Sequence, residues 1–126
     1  MRLSEHQQEF ALHVAQYILY AQSIGIFVTF GEAYRTKAQQ FLYFYGFDVI
    51  YDKILKFIKS NKRSYTMDSN HLKRLAVDFN YFIDGKLTYD YDKIKPLGDF
   101  WESLSPHNRW GGNFKHRDVP HIERNI

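Results

Sequence analysis

The stretch Ala76-Val77-Asp78-Phe79-Asn80-Tyr81-Phe82 decides the fold. Its residues alternate with a period of two, the pattern of a strand with one face buried. Val77, Phe79 and Tyr81 share one face; Ala76, Asp78 and Asn80 share the other. Asp84-Gly85 follows, a pair suited to the tight turn of a hairpin. Downstream, Leu97, Phe100, Trp101 and Leu104 predict a helix around 91–104, with Pro96 marking its first turn or a break. The segment from Trp110-Gly111-Gly112 to Glu123 reads as loop and short strand. Upstream, residues 60–70 are polar and basic and predict an exposed loop. Phe47, Ile50, Ile54, Phe57 and Ile58 recur at roughly helical spacing, which predicts a helix over 47–60. Thr36-Lys37-Ala38-Gln39 reads as a capping box opening a short helix to Tyr45, before Gly46. Ile26–Phe30 is β-branched and aromatic and predicts a strand. Ser4-Glu5-His6-Gln7 reads as a second capping box, and Phe10, His13, Val14, Tyr17, Ile18 and Ala21 continue it as an amphipathic helix over 4–24. Helices and short antiparallel strands together predict an α+β fold, one small domain with a short sheet flanked by helices.

Composition narrows the classes. The chain has 126 residues, 44% hydrophobic and 25% charged, which excludes disordered and fibrous classes. The aromatic share of 18% lets a short chain build a real core. No cysteine is present, so disulfide scaffolds, cysteine zinc knuckles, iron–sulfur sites and thiol nucleophiles are out. Any metal must be held by His, Asp or Glu. Seventeen Lys and Arg against fourteen Asp and Glu bias the chain mildly toward nucleic acid, membrane surfaces or a phosphate-rich wall, without choosing among them. No apolar run reaches the roughly 18 residues of a membrane helix, so no integral membrane segment is expected. Met1–His6 has polar and acidic residues where a secretory signal has an apolar run, and synthesis in a cytoplasm without a signal peptide is expected.

Among the six histidines, His6 and His13 read as surface or core-edge groups, and His107 and His116 as exposed loop residues. His71 and His121 each have a carboxylate at useful spacing. Asp78 follows His71 by seven residues and interrupts an apolar strand, a costly position unless the carboxylate is paired or holds a cation. His121 has Asp118 three residues before it and Glu123 two after. Two imidazoles and one carboxylate form a recognised zinc ligand set with a fourth position open for water. The helical H-E-x-x-H signature is absent, as are the G-x-S-x-G elbow, the Walker loop and G-x-G-x-x-G. A glycosidase pair could be imagined from Glu32 with Asp78, or Glu9 with Glu32, but nothing fixes their separation.

Ser69-Asn70-His71-Leu72-Lys73-Arg74-Leu75-Ala76-Val77-Asp78 resembles the S-x-H-x-x-G-x-A-x-D motif of the zinc D,D-carboxypeptidase and L-alanyl-D-glutamate endopeptidase family, which includes phage endolysins. Asp118-Val119-Pro120-His121 is similar to that family's second motif, an acid three residues before a histidine. Gly31–Thr36 with Gln39 and Gln40 looks like its upstream arginine segment, and Trp110–Phe114 like its tryptophan-glycine loop. The four segments fall in family order across residues 31–123. One departure stands out. Arg74 replaces the motif glycine, which is expected to alter the turn between His71 and Asp78 and the entrance to the cleft.

The resemblance implies that residues 1–126 form a single zinc peptidase domain with its site at the sheet. His71, Asp78 and His121 would hold Zn²⁺, Asp118 would be the general base, and Arg35 would bind a substrate carboxylate or the oxyanion. For Arg35 the alternative is a structural ion pair with Glu32. Ser69 would meet the site or cap the turn, Glu123 would orient His121 or lie exposed, and Trp110 would line the cleft or pack beneath the glycine loop. The implied substrate is the stem peptide of bacterial peptidoglycan, cut at the L-Ala–D-Glu bond. The runner-up is a D-Ala-D-Ala carboxypeptidase, and an inactive zinc-stabilised wall-binding module is the reading from another class. The implied setting is a monomeric lysin of a bacteriophage, made in the host cytoplasm and acting on the wall or periplasm, with no nucleic-acid partner.

Overall fold

β4 (Ala76–Ile83) is the axis of a five-stranded antiparallel sheet. The computed structural model describes residues 1–126, the side chain of Asp52 excepted. β1 (Phe27–Phe30) pairs with the later part of β4, Phe27 opposite Phe82 and Phe30 opposite Phe79. β5 (Lys86–Thr88) returns through Asp84 and Gly85, whose φ values of 51° and 75° are the two left-handed positions of a type I′ turn. β7 (His121–Arg124) pairs with the first part of β4, and β6 (Asn108–Trp110) pairs with β7. The alternation read from 76–82 is realised: Val77, Phe79 and Tyr81 are in the core.

Two helices cover that face. α1 (Leu3–Ser23) contributes Phe10, Tyr17 and Ala21, and α3 (Tyr91–Ser103) contributes Ile94, Leu97 and Trp101. Trp101 sits edge-on to Phe10 and Tyr17, with ring centroids 5.6 and 5.7 Å away. Its indole Nε1 donates to the carbonyls of Arg109 and Glu123, both at 3.1 Å, which ties α3 to β6 and β7. Each fully buried large apolar side chain contributes about 1.5–3 kcal/mol. This packing makes the first half of β4 and all of β7 a rigid floor for the polar groups on their other face. α2 (Lys37–Tyr45) starts and stops as its sequence predicts: Thr36 Oγ1 accepts from the Gln39 amide at 3.1 Å, and Gly46 ends it at φ 77°.

Three expectations are corrected. α1 begins at Leu3 because the Glu5 carboxylate accepts from the Arg2 amide at 2.5 Å, so the cap lies at Arg2 and not at Ser4. α3 runs through Pro96 without a break; the exposed proline forfeits one backbone bond while Ile94, Leu97 and Trp101 hold the helix down. Residues 47–60 are not a helix. They form the hairpin β2 (Phe47–Asp52) and β3 (Ile54–Lys59), turning at Lys53 with φ 66°. The β-branched and aromatic residues there suit strands, and the helical spacing was a coincidence of a short apolar run. Among the described residues no helix is long and apolar enough to cross a membrane.

Candidate metal centre and active-site cleft

Three elements bring the candidate ligands together. A 3-10 turn, Asn70–Lys73, presents His71; its start is fixed by Ser69 Oγ, which accepts from the His71 amide at 3.3 Å. β4 presents Asp78 and β7 presents His121, and the two residues lie directly opposite in the strand register. Alternation on β7 places His121 and Glu123 on the cleft side and Ile122 in the core. The polypeptide folds closely here. A Cβ on Gly111 would lie 2.2 Å from the Asp118 carbonyl oxygen, and one on Gly112 would lie 2.3 Å from the Trp110 ring. Both glycines are therefore required by close approach. They let the Asp118 amide bond the Gly111 carbonyl at 2.8 Å, which sets the turn leading into His121.

The ligand atoms converge. His71 Nε2 lies 3.2 Å from His121 Nδ1 and 3.4 Å from Asp78 Oδ2, and His121 Nδ1 lies 3.1 Å from Asp78 Oδ1. The outer nitrogens are occupied. His71 Nδ1 donates to the Ala33 carbonyl at 2.6 Å, and His121 Nε2 donates to Glu123 Oε1 at 2.8 Å. A carbonyl and a carboxylate only accept, so these two nitrogens carry the hydrogens of the neutral rings. The inner nitrogens then aim bare lone pairs at each other and at a carboxylate. Such a donor set fits a cation, and the three residues could hold a metal ion. Without one, a proton fills the gap. Burial lowers His121, but hydrogen bonds from its ring to Asp78 and Glu123 outweigh it and raise the ring to about 9. Burial raises Asp78, but the two imidazoles outweigh it and hold its carboxyl well below the usual range.

Behind His121 lies a carboxylate clamp that sequence reading found only in part. Glu123 is placed to orient His121, its Oε1 accepting from the ring Nε2 at 2.8 Å. Its second oxygen accepts from Asn70 Nδ2 at 2.8 Å and from Arg109 Nη2 at 2.5 Å. Burial raises Glu123, but the bonds from His121 and Arg109 outweigh it and hold its carboxyl at about 2. Asn70 and Arg109 carried no signal of their own, because their partner is distant in sequence. Asp118 stands beside the cluster, Oδ2 4.0 Å from His121 Nδ1, with its side chain half exposed to the cleft. Partial burial raises its carboxyl; the pull of His121 opposes this and the like charge of Asp78 reinforces it.

The cleft encloses about 430 Å³ above these groups. Its cationic lining includes Arg35, Arg63, Lys73, Arg109 and Lys115. Arg35 is paired with Glu32, as one of its two expectations had it, its Nη1 donates to Gln40 Oε1 at 2.7 Å, and it is among the residues that line the cleft. Gln40 is fully buried and in turn bonds Ser64 Oγ at 2.7 Å, so α2 is fastened to the far rim. Ser69 caps the turn and lines the cleft. Trp110 is buried under the glycines, its Nε1 donating to the Val119 carbonyl at 2.9 Å, and does not line the cleft.

Arg74 stands where the motif has glycine. It adopts a left-handed conformation at φ 56°, a region that favours glycine, and still closes the turn, its amide bonding the His71 carbonyl at 3.4 Å. Its guanidinium lies over the Tyr34 ring at 4.3 Å, away from the residues that line the cleft. His6 and His13 are buried at the core edge, His6 Nδ1 accepting from Arg124 Nε at 3.0 Å. His107 and His116 are exposed, and His116 stacks on Tyr65 at 4.0 Å. Glu9 bonds Arg124 at 2.6 Å and Glu32 bonds Tyr43 at 2.8 Å, which removes Glu9 with Glu32 as an opposed catalytic pair.

A small α+β domain with a possible metal-holding cluster on its sheet and a basic cleft above it has the makings of a hydrolytic enzyme. The chain belongs to the D-alanyl-D-alanine carboxypeptidase family, whose model matches residues 62–124, half of its length. Its fold is similar to the crystal structure of the L-Ala D-Glu endopeptidase ChiX of Serratia marcescens. That likeness has a TM-score of 0.61 at 20% identity and covers 98% of this chain and 86% of the other. No curated protein matches the chain.

Proposed function

We propose that this protein is a zinc-dependent peptidase of bacterial peptidoglycan that cuts the L-Ala–D-Glu bond of the stem peptide. The observation that carries the reading is the convergence of His71, Asp78 and His121, with Asp118 beside them, in a chain of this peptidase family. Ligand atoms around a tetrahedral zinc with bonds of about 2.0–2.1 Å stand about 3.3 Å apart. His71 Nε2 and His121 Nδ1, 3.2 Å apart, fit that spacing, and one ligand atom from each of the three residues lies within 4.8 Å of the others. Zinc supplies Lewis acidity at such a site and lowers the pKa of a water from 15.7 toward about 7.

The chain's own groups do the rest. Asp118 accepts the proton of the attacking water at its carboxylate and returns it to the departing amine. Its raised pKa suits both halves of that task. Glu123, held by Asn70 and Arg109, keeps the His121 Nδ1 lone pair aimed at the metal position. Arg35 is held rigid by Glu32 and Gln40 and offers its planar cation to a substrate carboxylate or to the developing oxyanion. The cationic rim suits a stem peptide rich in carboxylates. In this reading the protein works on the wall as a phage lysin made in the host cytoplasm.

The description of the matching family favours a second reading, a D-Ala-D-Ala carboxypeptidase. Mass spectrometry of digested muropeptides separates the two. Release of the whole stem peptide beyond L-Ala is the expected result; loss of a single terminal alanine would establish the second reading. Asp118→Ala should lower turnover about 10²–10⁴-fold with the metal retained. Unaltered turnover by that variant would remove Asp118 as the base, and no wall clearance by the wild type would leave only a binding module.

A further inference from the structure

The hairpin of β2 and β3 takes no part in the site. Its register sets Val49 opposite Phe57 and Tyr51 opposite Leu55, so these four side chains share one face. Tyr51, Leu55 and Phe57 are 75%, 73% and 72% exposed. On the other face Ile50, Ile54 and Ile58 are exposed as well. Each strand has only the other as its neighbour, so both outer edges are open. A lone two-stranded hairpin is marginal in water, and an apolar patch of this kind marks an interaction surface. Cations run through it: Lys53 at the turn, Lys56 opposite Ile50 and Lys59 opposite Phe47. Residues 47–63 contain five Lys and Arg against Asp48 and Asp52.

These features discriminate among occupants. A protein partner packed flat against one face leaves the other wet. A second copy brings the same lysines against its twin, and lysine on an edge strand opposes edge pairing. An anionic bilayer surface meets all the observations at once. The boundary between headgroups and acyl chains receives apolar side chains from both faces, and hydrated headgroups satisfy the open strand edges. Lysine stems lie along the apolar surface and carry their ammonium groups to lipid phosphates. Tyrosine favours that same depth.

We propose that the 47–59 hairpin docks on an anionic phospholipid surface, with Tyr51, Leu55 and Phe57 entering the headgroup boundary and Lys53, Lys56 and Lys59 meeting phosphates. The hairpin leaves the body beside the cleft: the Ser60 amide bonds the Gly46 carbonyl at 2.8 Å, and Arg63 to Thr66 line the rim. Docking therefore holds the cleft next to the membrane. The inference is independent of the catalytic reading.

The test is co-sedimentation of the full chain with vesicles of phosphatidylglycerol and phosphatidylcholine, and of phosphatidylcholine alone, at about 0.1 M salt. The expected result is binding to the anionic vesicles and little to the others. Tyr51→Ser with Leu55→Ser and Phe57→Ser should lower the partition coefficient about tenfold or more, with an unchanged circular dichroism spectrum. Lys56→Glu with Lys59→Glu should do the same while leaving every apolar residue in place, which keeps the test valid if the serine variant fails to fold. Absence of vesicle binding, or equal binding by the wild type and both variants, overturns the proposal. A concentration-dependent dimer in ultracentrifugation that the serine variant abolishes also overturns it and assigns the face to a second copy.

Discussion

The sheet floor under the cleft and the 47–59 hairpin are both antiparallel pairs rich in aromatic and β-branched residues, yet they are specified very differently. On the floor, Asp78 faces His121 in register, Val77 and Ile122 lie in a core roofed by α1 and α3, and the polar side is locked by Glu123, Asn70 and Arg109. Every residue there answers to several partners. In the hairpin the cross-strand pairs are the main constraint, and the apolar side chains face outward. The difference teaches that the same strand chemistry gives a catalytic platform where helices bury one face, and an uncommitted surface where none does.

The contrast can be broken first by stability. Phe79→Ala in the floor should cost about 3–5 kcal/mol, because the fully buried ring stacks on Tyr17 and leaves a cavity. Phe57→Ser in the hairpin should cost no more than about 0.5 kcal/mol. Equal losses in urea melts would show that the hairpin is packed after all. Next in size, Glu123→Gln should weaken metal binding about 10–100-fold, since an amide cannot accept from His121 and from both Asn70 and Arg109 as the carboxylate does. An unchanged dissociation constant in chelator competition would remove the clamp from the account.

Metal affinity should also depend on pH, through the proton that His121 holds in the metal-free chain. The folded value of about 9 lies above the ordinary 6.5, so the proton stabilises the metal-free fold fully below about pH 6.5, and that stabilisation is lost as pH rises through 9. A metal must displace the same proton, so affinity should rise about tenfold per pH unit up to pH 9 and then level off. A flat profile would contradict the buried donor set. The smallest effect belongs to Arg74→Gly. It relieves a left-handed arginine but frees the unfolded chain and removes the contact with Tyr34, so stability should move by less than about 1 kcal/mol. Catalytic efficiency should stay the same, and a change in it would return Arg74 to the cleft.

Much of the floor was legible from residues alone. The alternation of 76–82 gave the buried face, Asp84-Gly85 the turn, and Thr36 and Gly46 the ends of α2. Asp78 stood out because a carboxylate in an apolar strand needs a partner. His71 and His121 stood out by the carboxylates spaced from them, while the role of Asp118 as a base became legible only through the motif resemblance. The hairpin was misread because five apolar positions in a short run satisfy helical and strand spacing alike. The clamp was hidden for another reason. Asn70 and Arg109 reach Glu123 through tertiary packing, and no local pattern announces a contact between Asn70 and a residue on β7.

The central claim is that one divalent ion joins His71, Asp78 and His121. Metal analysis of the purified chain and of its His71→Ala and His121→Ala variants tests it directly. The account predicts about one zinc per chain in the wild type and nearly none in either variant. Full zinc in both variants would contradict it.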